Sequence, residues 1–323
     1  MISPALPAEL TIALDRALHG LSRNDAAARA ASISQTYRDG GGSQAIRSAT
    51  DALAYAAARM PATYAAVAAC LNALNEVRPD FAPQTLLDLG AGPGTASWAA
   101  ATAFASLRGF ELIDANAALS ALALELARDT RLAAMRYRRG EALALLAEAP
   151  AADLVIASYM INELNDARRE KFADLAWRKT NDTLLIVEPG TPAGYQRVLA
   201  LRRQLIAQGA HVIAPCPHDD ECPLAAPDWC HFTQRLPRSR AHQHLKAAEL
   251  PYEDEKFIYV TLTRAPPPQR PSRVLAQPEL TKIAVTAKLC TAHGIVRAGA
   301  PRRDKPHYAR FRKLSWGDAV FDE

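Results

Sequence analysis

No run of about eighteen apolar residues free of charge occurs in these 323 residues, so no segment reads as a membrane span. A secretory leader is missing too, because Glu9 and Asp15 interrupt the short apolar N-terminus, and the same acids count against a mitochondrial presequence. A cytoplasmic chain is therefore expected. Cysteine is scarce, five in all, which excludes a disulfide framework and leaves reduced thiols. No strand-like run precedes Phe81, and no internal repeat is present. What is abundant is alanine, which favours helices, within a hydrophobic fraction of 49% that is ample for a core.

Residues 1–80 read as a helical N-terminal region, with Ala62–Leu74 a helix started by Pro61. From Thr85 onward, short apolar strands alternate with helices. Strands are expected at Thr85–Leu89, Phe110–Ile113, Ala133–Arg138, Asp153–Ala157 and Thr183–Val187. The helices between and after them fall at Ala96–Leu107, Ala117–Arg128, Asn165–Lys179 and Tyr195–Gln208. Such alternation predicts βαβ units and a Rossmann-like, doubly wound α/β sheet over residues 81–264, with Phe257–Thr263 a late strand to close it. Residues 211–240, rich in Pro, His, Asp and Cys and without periodicity, read as an insertion. The proline-rich connector Ala265–Ser272 leads to a C-terminal extension, 265–323, with short strand-like runs around Val274, Ile283, Val285 and Ile295.

The glycine loop Asp88-Leu89-Gly90-Ala91-Gly92-Pro93-Gly94-Thr95 joins the first strand to a helix. Such a junction gathers backbone N–H groups and a positive helix terminus, and glycine lets a ligand approach where a Cβ would collide. The spacing differs from the dinucleotide pattern G-x-G-x-x-G. An acidic neighbour, Asp88, suits the cationic S-adenosylmethionine (SAM) better than a pyrophosphate. The loop therefore reads as the SAM site of a class I methyltransferase fold, with Asp88, Gly90, Gly92, Gly94 and Thr95 around the ligand. Asp114, ending the second strand, is placed to accept the ribose hydroxyls. Glu141 after the third strand is placed for the adenine amino group, and Ser158 after the fourth lies at the same sheet edge. The fourth-strand loop, Ser158-Tyr159-Met160-Ile161-Asn162-Glu163-Leu164, lacks the Asn/Asp-Pro-Pro-aromatic motif of amino-directed enzymes. The one Pro-Cys pair, Pro215-Cys216, lies far downstream, so no catalytic residue is named.

Cys70 reads as a small buried residue in a helix. Cys216, Cys222 and Cys230 share one loop and Cys290 returns from beyond the connector, a set that fits a four-thiolate metal site although no C-x-x-C pair occurs. His218 and His231 read as packing nearby. Residues 265–323 carry 11 Lys/Arg against 5 Asp/Glu, a net of +6 on a chain of net +4, which leaves −2 for residues 1–264. A basic tail on a neutral body points to a polyanion, nucleic acid being the usual one, and Tyr308, Phe311 and Trp316 are candidates for stacking on bases.

Several segments resemble one family. They are Arg59-Met60-Pro61-Ala62-Thr63-Tyr64, Val187-Glu188-Pro189-Gly190-Thr191, Pro215-Cys216-Pro217-His218, Cys222-Pro223-Leu224, Asp228-Trp229-Cys230-His231-Phe232 and Lys313-Leu314-Ser315-Trp316-Gly317-Asp318. The family is that of the methyltransferase-like proteins of the mitochondrial small ribosomal subunit and their bacterial relatives, and the likeness runs from about residue 50 to the end. It implies a class I methyltransferase fold and association with small-subunit ribosomal RNA or a pre-ribosomal particle. It also implies a [4Fe–4S] cluster on Cys216, Cys222, Cys230 and Cys290, with zinc the alternative metal. The functions that follow are an rRNA methyltransferase, a non-catalytic assembly factor holding SAM and a cluster, and, more remotely, a small-molecule methyltransferase with a structural zinc.

Overall fold

The computed structural model describes residues 1–246 and 248–321. Helices α1 (Ala8–Ala17), α2 (Arg23–Arg38) and α3 (Ala49–Val77) come first. The start of α3 is fixed by a capping box in which Ser48 and Asp51 satisfy each other's backbone N–H groups. Pro61 does not open this helix, as the sequence reading expected, but lies inside it. A proline there leaves the carbonyl four residues back without its helical donor. The helix continues because it is packed from several sides, with Ala57, Met60, Tyr64, Val67 and Leu71 all buried.

The sheet is built from β1 (Thr85–Leu89), α4 (Thr95–Ala103), β2 (Gly109–Asp114), α5 (Ala117–Ala127), β3 (Arg136–Arg139), α6 (Ala142–Glu148) and β4 (Ala152–Ser158). It continues through α7 (Asp166–Arg178), β5 (Thr180–Pro189), α8 (Pro192–Ala207), β6 (His211–Ala214), β7 (Phe232–Pro237), α9 (Arg240–Leu245) and β8 (Tyr252–Thr263). Strand order is β3-β2-β1-β4-β5-β8-β6, with β7 also paired to β8. The first five strands are parallel, and β8 enters antiparallel between β5 and β6. This is the mixed α/β sheet of the class I methyltransferase fold. Its central strands are near-continuous apolar runs, as strands covered on both faces must be: Leu154, Val155, Ile156, Leu184, Leu185 and Ile186 are wholly buried.

One further expectation is corrected. Residues 211–240 are not an irregular insertion throughout: β6 and β7 lie end to end along one edge of β8, with the cysteine loop between them. Their signal was hidden because each is short and bordered by histidine and proline. Helix α6 was also not foreseen, since its seven residues are too few to show a period.

The remaining strands, β9 (Ser272–Val274), β10 (Glu279–Leu280), β11 (Ala284–Thr291), β12 (Gly294–Pro301) and β13 (Ala319–Val320), form a second sheet in the order β10-β11-β9-β13, with β12 beside β11. Helix α10 (Lys305–Phe311) lies against β11 and β12. A small core of Val274, Ala287 and Leu289, joined by Phe311 and Leu314, holds it.

Candidate functional site

A cleft of about 510 Å³ opens at the carboxyl ends of β1, β2 and β4, the edge where ligands bind in such sheets. Gly90, Gly92 and Gly94 all have positive φ, at 66°, 53° and 80°. At Gly90 the need for glycine is double, because a Cβ would also sit 2.5 Å from the Met160 Cβ. Gly90, Ala91, Gly92, Pro93 and Thr95 line the cleft. Thr95 is the first residue of α4, so the positive end of that helix faces the space.

Asp114, Glu141 and Ser158 also line the cleft. Asp114 is held by two backbone donors, Gly92 N–H at 2.9 Å and Asn116 N–H at 2.7 Å, and burial raises its pKa. Glu141 caps α6 through the Ala144 N–H at 2.7 Å and pairs with Arg168, so its carboxylate is partly committed. Asp88 and Gly94 are not among the lining residues. Asp88 lies behind the loop, fully buried, accepting the Ser97 N–H at 3.1 Å and hydroxyl at 2.7 Å. Burial pushes its carboxyl up to about 7, and it braces the loop from beneath.

The sequence reading missed the opposite wall. Tyr37, Ser43, Gln44, Tyr55, Met60 and Thr63 come from the N-terminal helices and the turn between them. The turn is tied across the cleft mouth: Asn116 Nδ2 donates to the carbonyls of Ser43 and Ile46, both at 2.9 Å, and the Ser43 N–H donates to Glu163 at 3.3 Å. A helical pattern with no motif gives no hint of such a role. Beyond the β4 end, Tyr159 is a non-glycine residue at φ 57°, a strained conformation of the kind that gathers at functional sites. Its hydroxyl donates to Glu255 at 2.9 Å, and Glu255 pairs with Arg59 at 3.1 Å, so α3, β4 and β8 are locked together beside the cleft.

The four cysteines meet elsewhere. Cys216, Cys222, Cys230 and Cys290 line one small cavity of about 30 Å³, against Ile258, Tyr259 and Val260, the stretch of β8 between its pairings with β6 and β7. Burial raises the Cys216 and Cys230 thiols and pushes Cys290 up to about 12, and the neighbouring cysteines repel further charge at each. Tyr195 donates its hydroxyl to the Cys222 sulfur at 3.2 Å. His218 Nε2 stands 3.9 Å from the Cys290 sulfur, while its buried Nδ1 has no partner. His231 lies outside, stacked on Trp229 at 5.0 Å and edge-on to Trp316 at 4.8 Å. Among the described residues no three His, Cys, Asp or Glu side chains are drawn together as a ready single-ion site, so the expected metal-bound state is not itself seen. The donor set of four thiols around one space, beside unpartnered buried nitrogens, fits a four-thiolate group.

The C-terminal sheet is docked on that loop by Lys288 with Asp228 and by Trp316 Nε1 with the His231 carbonyl at 2.9 Å. Arg297, Arg302, Arg303, Lys305, Arg312 and Lys313 are exposed around it. Phe311 packs into the core of this sheet and Trp316 against His231, so neither is a free platform for a base. Tyr308 remains half-exposed, its hydroxyl accepting from Arg302 at 3.2 Å. No helix among the described residues is long and apolar enough to cross a membrane.

Comparison with known proteins adds four findings. The family model described as mitochondrial small ribosomal subunit Rsm22 matches residues 49–321. Human "Ribosome assembly protein METTL17, mitochondrial" is 32% identical over 289 residues, covering 83% of this chain and 62% of that protein. The fission yeast (Schizosaccharomyces pombe) "Rsm22-cox11 tandem protein 2, mitochondrial" is 26% identical over 202 residues, 56% of this chain and 27% of that one. The chain thus spans less than two thirds of the length of either relative. Among solved structures, a magnesium protoporphyrin IX methyltransferase from Synechocystis aligns at 12% identity with a TM-score of 0.41, over 63% of this chain and 84% of that one.

Proposed function

Because the chain belongs to the Rsm22 family, we propose that it binds SAM in the cleft and acts on small-subunit ribosomal RNA during assembly of the particle, as methyltransferase, as assembly factor or as both. The observation that carries the ligand is the glycine loop, with three glycines at positive φ and an acidic rim. Asp114 offers acceptors for ribose hydroxyls, Glu141 for the adenine amino group, and the first turn of α4 receives the ligand's carboxylate. Methyl transfer is largely a matter of positioning an acceptor against the sulfonium methyl, so it does not demand a strong acid or base.

The assembly-factor reading has its own support. The β4 loop offers no Pro-Pro-aromatic or Pro-Cys motif, and its Met160 packs onto Gly90. The N-terminal turn is also tied into one wall of the cleft through Asn116 and Glu163. Here SAM would be a structural or regulatory ligand. Transfer of label from SAM to purified small subunits or their precursors separates the two. Wild type labelling no more than Gly92→Asp would leave the assembly role alone.

The four thiols are assigned to the [4Fe–4S] cluster that the family resemblance implies, with zinc as the alternative. When bound, such a group ties Cys290 on β11 to the loop of residues 216–230 and stabilises the C-terminal sheet. Its thiolate ligands would release protons on binding, since burial holds the free thiols protonated. Anaerobic purification followed by an absorption spectrum decides the metal: a colourless protein with stoichiometric zinc would overturn the iron assignment. The basic C-terminal face is assigned to RNA phosphates, and the cytoplasmic location belongs with the same proposal.

A further inference from the structure

Arg202 is 4% exposed, lines the four-cysteine cavity, and has no carboxylate partner among the described residues. One N–H donates to the His218 carbonyl at 2.8 Å, while its buried Nε has no partner. A second arginine neighbours Cys290. Arg273 is 1% exposed and is the cross-strand neighbour of Cys290 in the β9–β11 pairing, so the two side chains share a face. Arg273 donates to the Gly317 carbonyl at 2.9 Å and approaches Glu76 at 3.6 Å, and its Nε is likewise unpartnered. Arg273 therefore has a carboxylate to share its charge; Arg202 has none among the described residues.

An uncompensated buried guanidinium is costly, and its unused N–H adds to the cost. A fold keeps such a group where something negative comes to it. Around this cavity the other titratable groups are the four thiols, His218, Tyr195 and Tyr259, and none of them is an anion while the thiols and phenols are protonated. We propose that Arg202 is the countercharge of the four-thiolate centre. Its guanidinium neutralises part of the negative charge of the ligated cysteines, and its free Nε–H is a donor held for their sulfurs, with Arg273 in a supporting position. This inference rests on the assignment of a cluster to the four cysteines. Groups in this position tune a cluster through net charge and hydrogen bonds to sulfur.

The test compares wild type, Arg202→Gln and Arg202→Lys, reconstituted with iron and sulfide under anaerobic conditions. The readouts are iron and acid-labile sulfide per chain, the rate of iron loss to a chelator, and the midpoint potential from a dithionite titration. SAM affinity checks that each variant is folded, because the cleft does not include Arg202. Gln removes the charge and keeps a donor for the His218 carbonyl; Lys keeps the charge. The expected result is cluster affinity about 10- to 100-fold weaker and a more negative potential in Arg202→Gln, with Lys close to wild type. Without iron the order reverses, Arg202→Gln melting above wild type because an uncompensated cation has gone. A purely structural arginine would instead weaken the metal-free fold. If wild type holds the cluster and Gln matches it in retention and potential, or if Gln and Lys behave alike, the countercharge role is wrong. If wild type takes up no cluster at all, the cluster assignment falls, and this inference with it.

Discussion

Gly90 carries two constraints at once, a left-handed backbone and a Met160 side chain 2.5 Å from any added Cβ. Gly90→Ala is expected to cost about 1–2 kcal/mol from the backbone alone, and more from the collision. Calorimetric titration should show SAM binding lost, and retained affinity would mean that the loop is not the site. Asp88 behind the loop gives a pH signature. Burial raises its carboxyl from 3.8 to about 7. The folded chain then keeps a proton that the unfolded chain releases, so stability from this group is greatest at low pH and falls as pH rises to about 7. Asp88→Asn removes that loss while leaving one acceptor for Ser97. Melting curves from about pH 5 to about pH 8 should show the variant gaining on wild type. A constant gap would mean that Asp88 is ionised throughout. Glu188 behaves in the same sense: it is buried, raised to about 7 by desolvation, and held by Arg197 at 2.9 Å.

Elements were legible in proportion to their length and regularity. The strands Thr85–Leu89 and Gly109–Asp114 and the helix Ala117–Ala127 announce themselves by apolar runs and turn residues, and the first βα junction by its glycines. The long helix α3 was only half visible because Pro61 is a local stop signal that tertiary packing overrides. An interior proline costs about 3 kcal/mol in an unsupported helix. Pro61→Ala should therefore raise the melting temperature, and a fall would show that the backbone at Pro61 is shaped for something else. The cleft was legible on its sheet side alone. Gly90, Gly92, Asp114, Glu141 and Ser158 sit at strand ends, whereas Tyr37, Tyr55 and Met60 reach it by helix packing that no short-range pattern encodes. The gathering of four cysteines was signalled by residue type rather than spacing, since β11 brings Cys290 from a separate sheet.

At the scale of the whole molecule, three units meet: a helical cap, a mixed sheet and a small basic sheet. The last is fastened mostly through the cysteine loop, by Lys288 with Asp228, Trp316 with His231 and the cavity itself. Cys290→Ser should loosen that fastening in metal-loaded protein, seen as new protease cleavage after Pro266. An unchanged digest would count against Cys290 as a ligand. The exposed charges of the small sheet predict RNA affinity that falls steeply with salt. Changing Arg303, Lys305 and Lys313 together to Ala should flatten the salt dependence by up to about one unit of slope for each phosphate no longer neutralised. An unaltered slope would place the RNA on another face.

The place of β8 in the sheet has a consequence for how the molecule comes into being. A chain leaves the ribosome from its N-terminus, so β6 and Cys216 emerge before β8, the strand that β6 pairs with. Strands β1 to β4 around the cleft have their strand partners by the time β5 is out, whereas α3 still waits for β8, where Glu255 pairs with Arg59. The edge strands and the cysteine cavity must wait, first for Tyr252–Thr263 and then for the hairpin bearing Cys290. The four thiols are thus the last of the candidate site residues to be brought together.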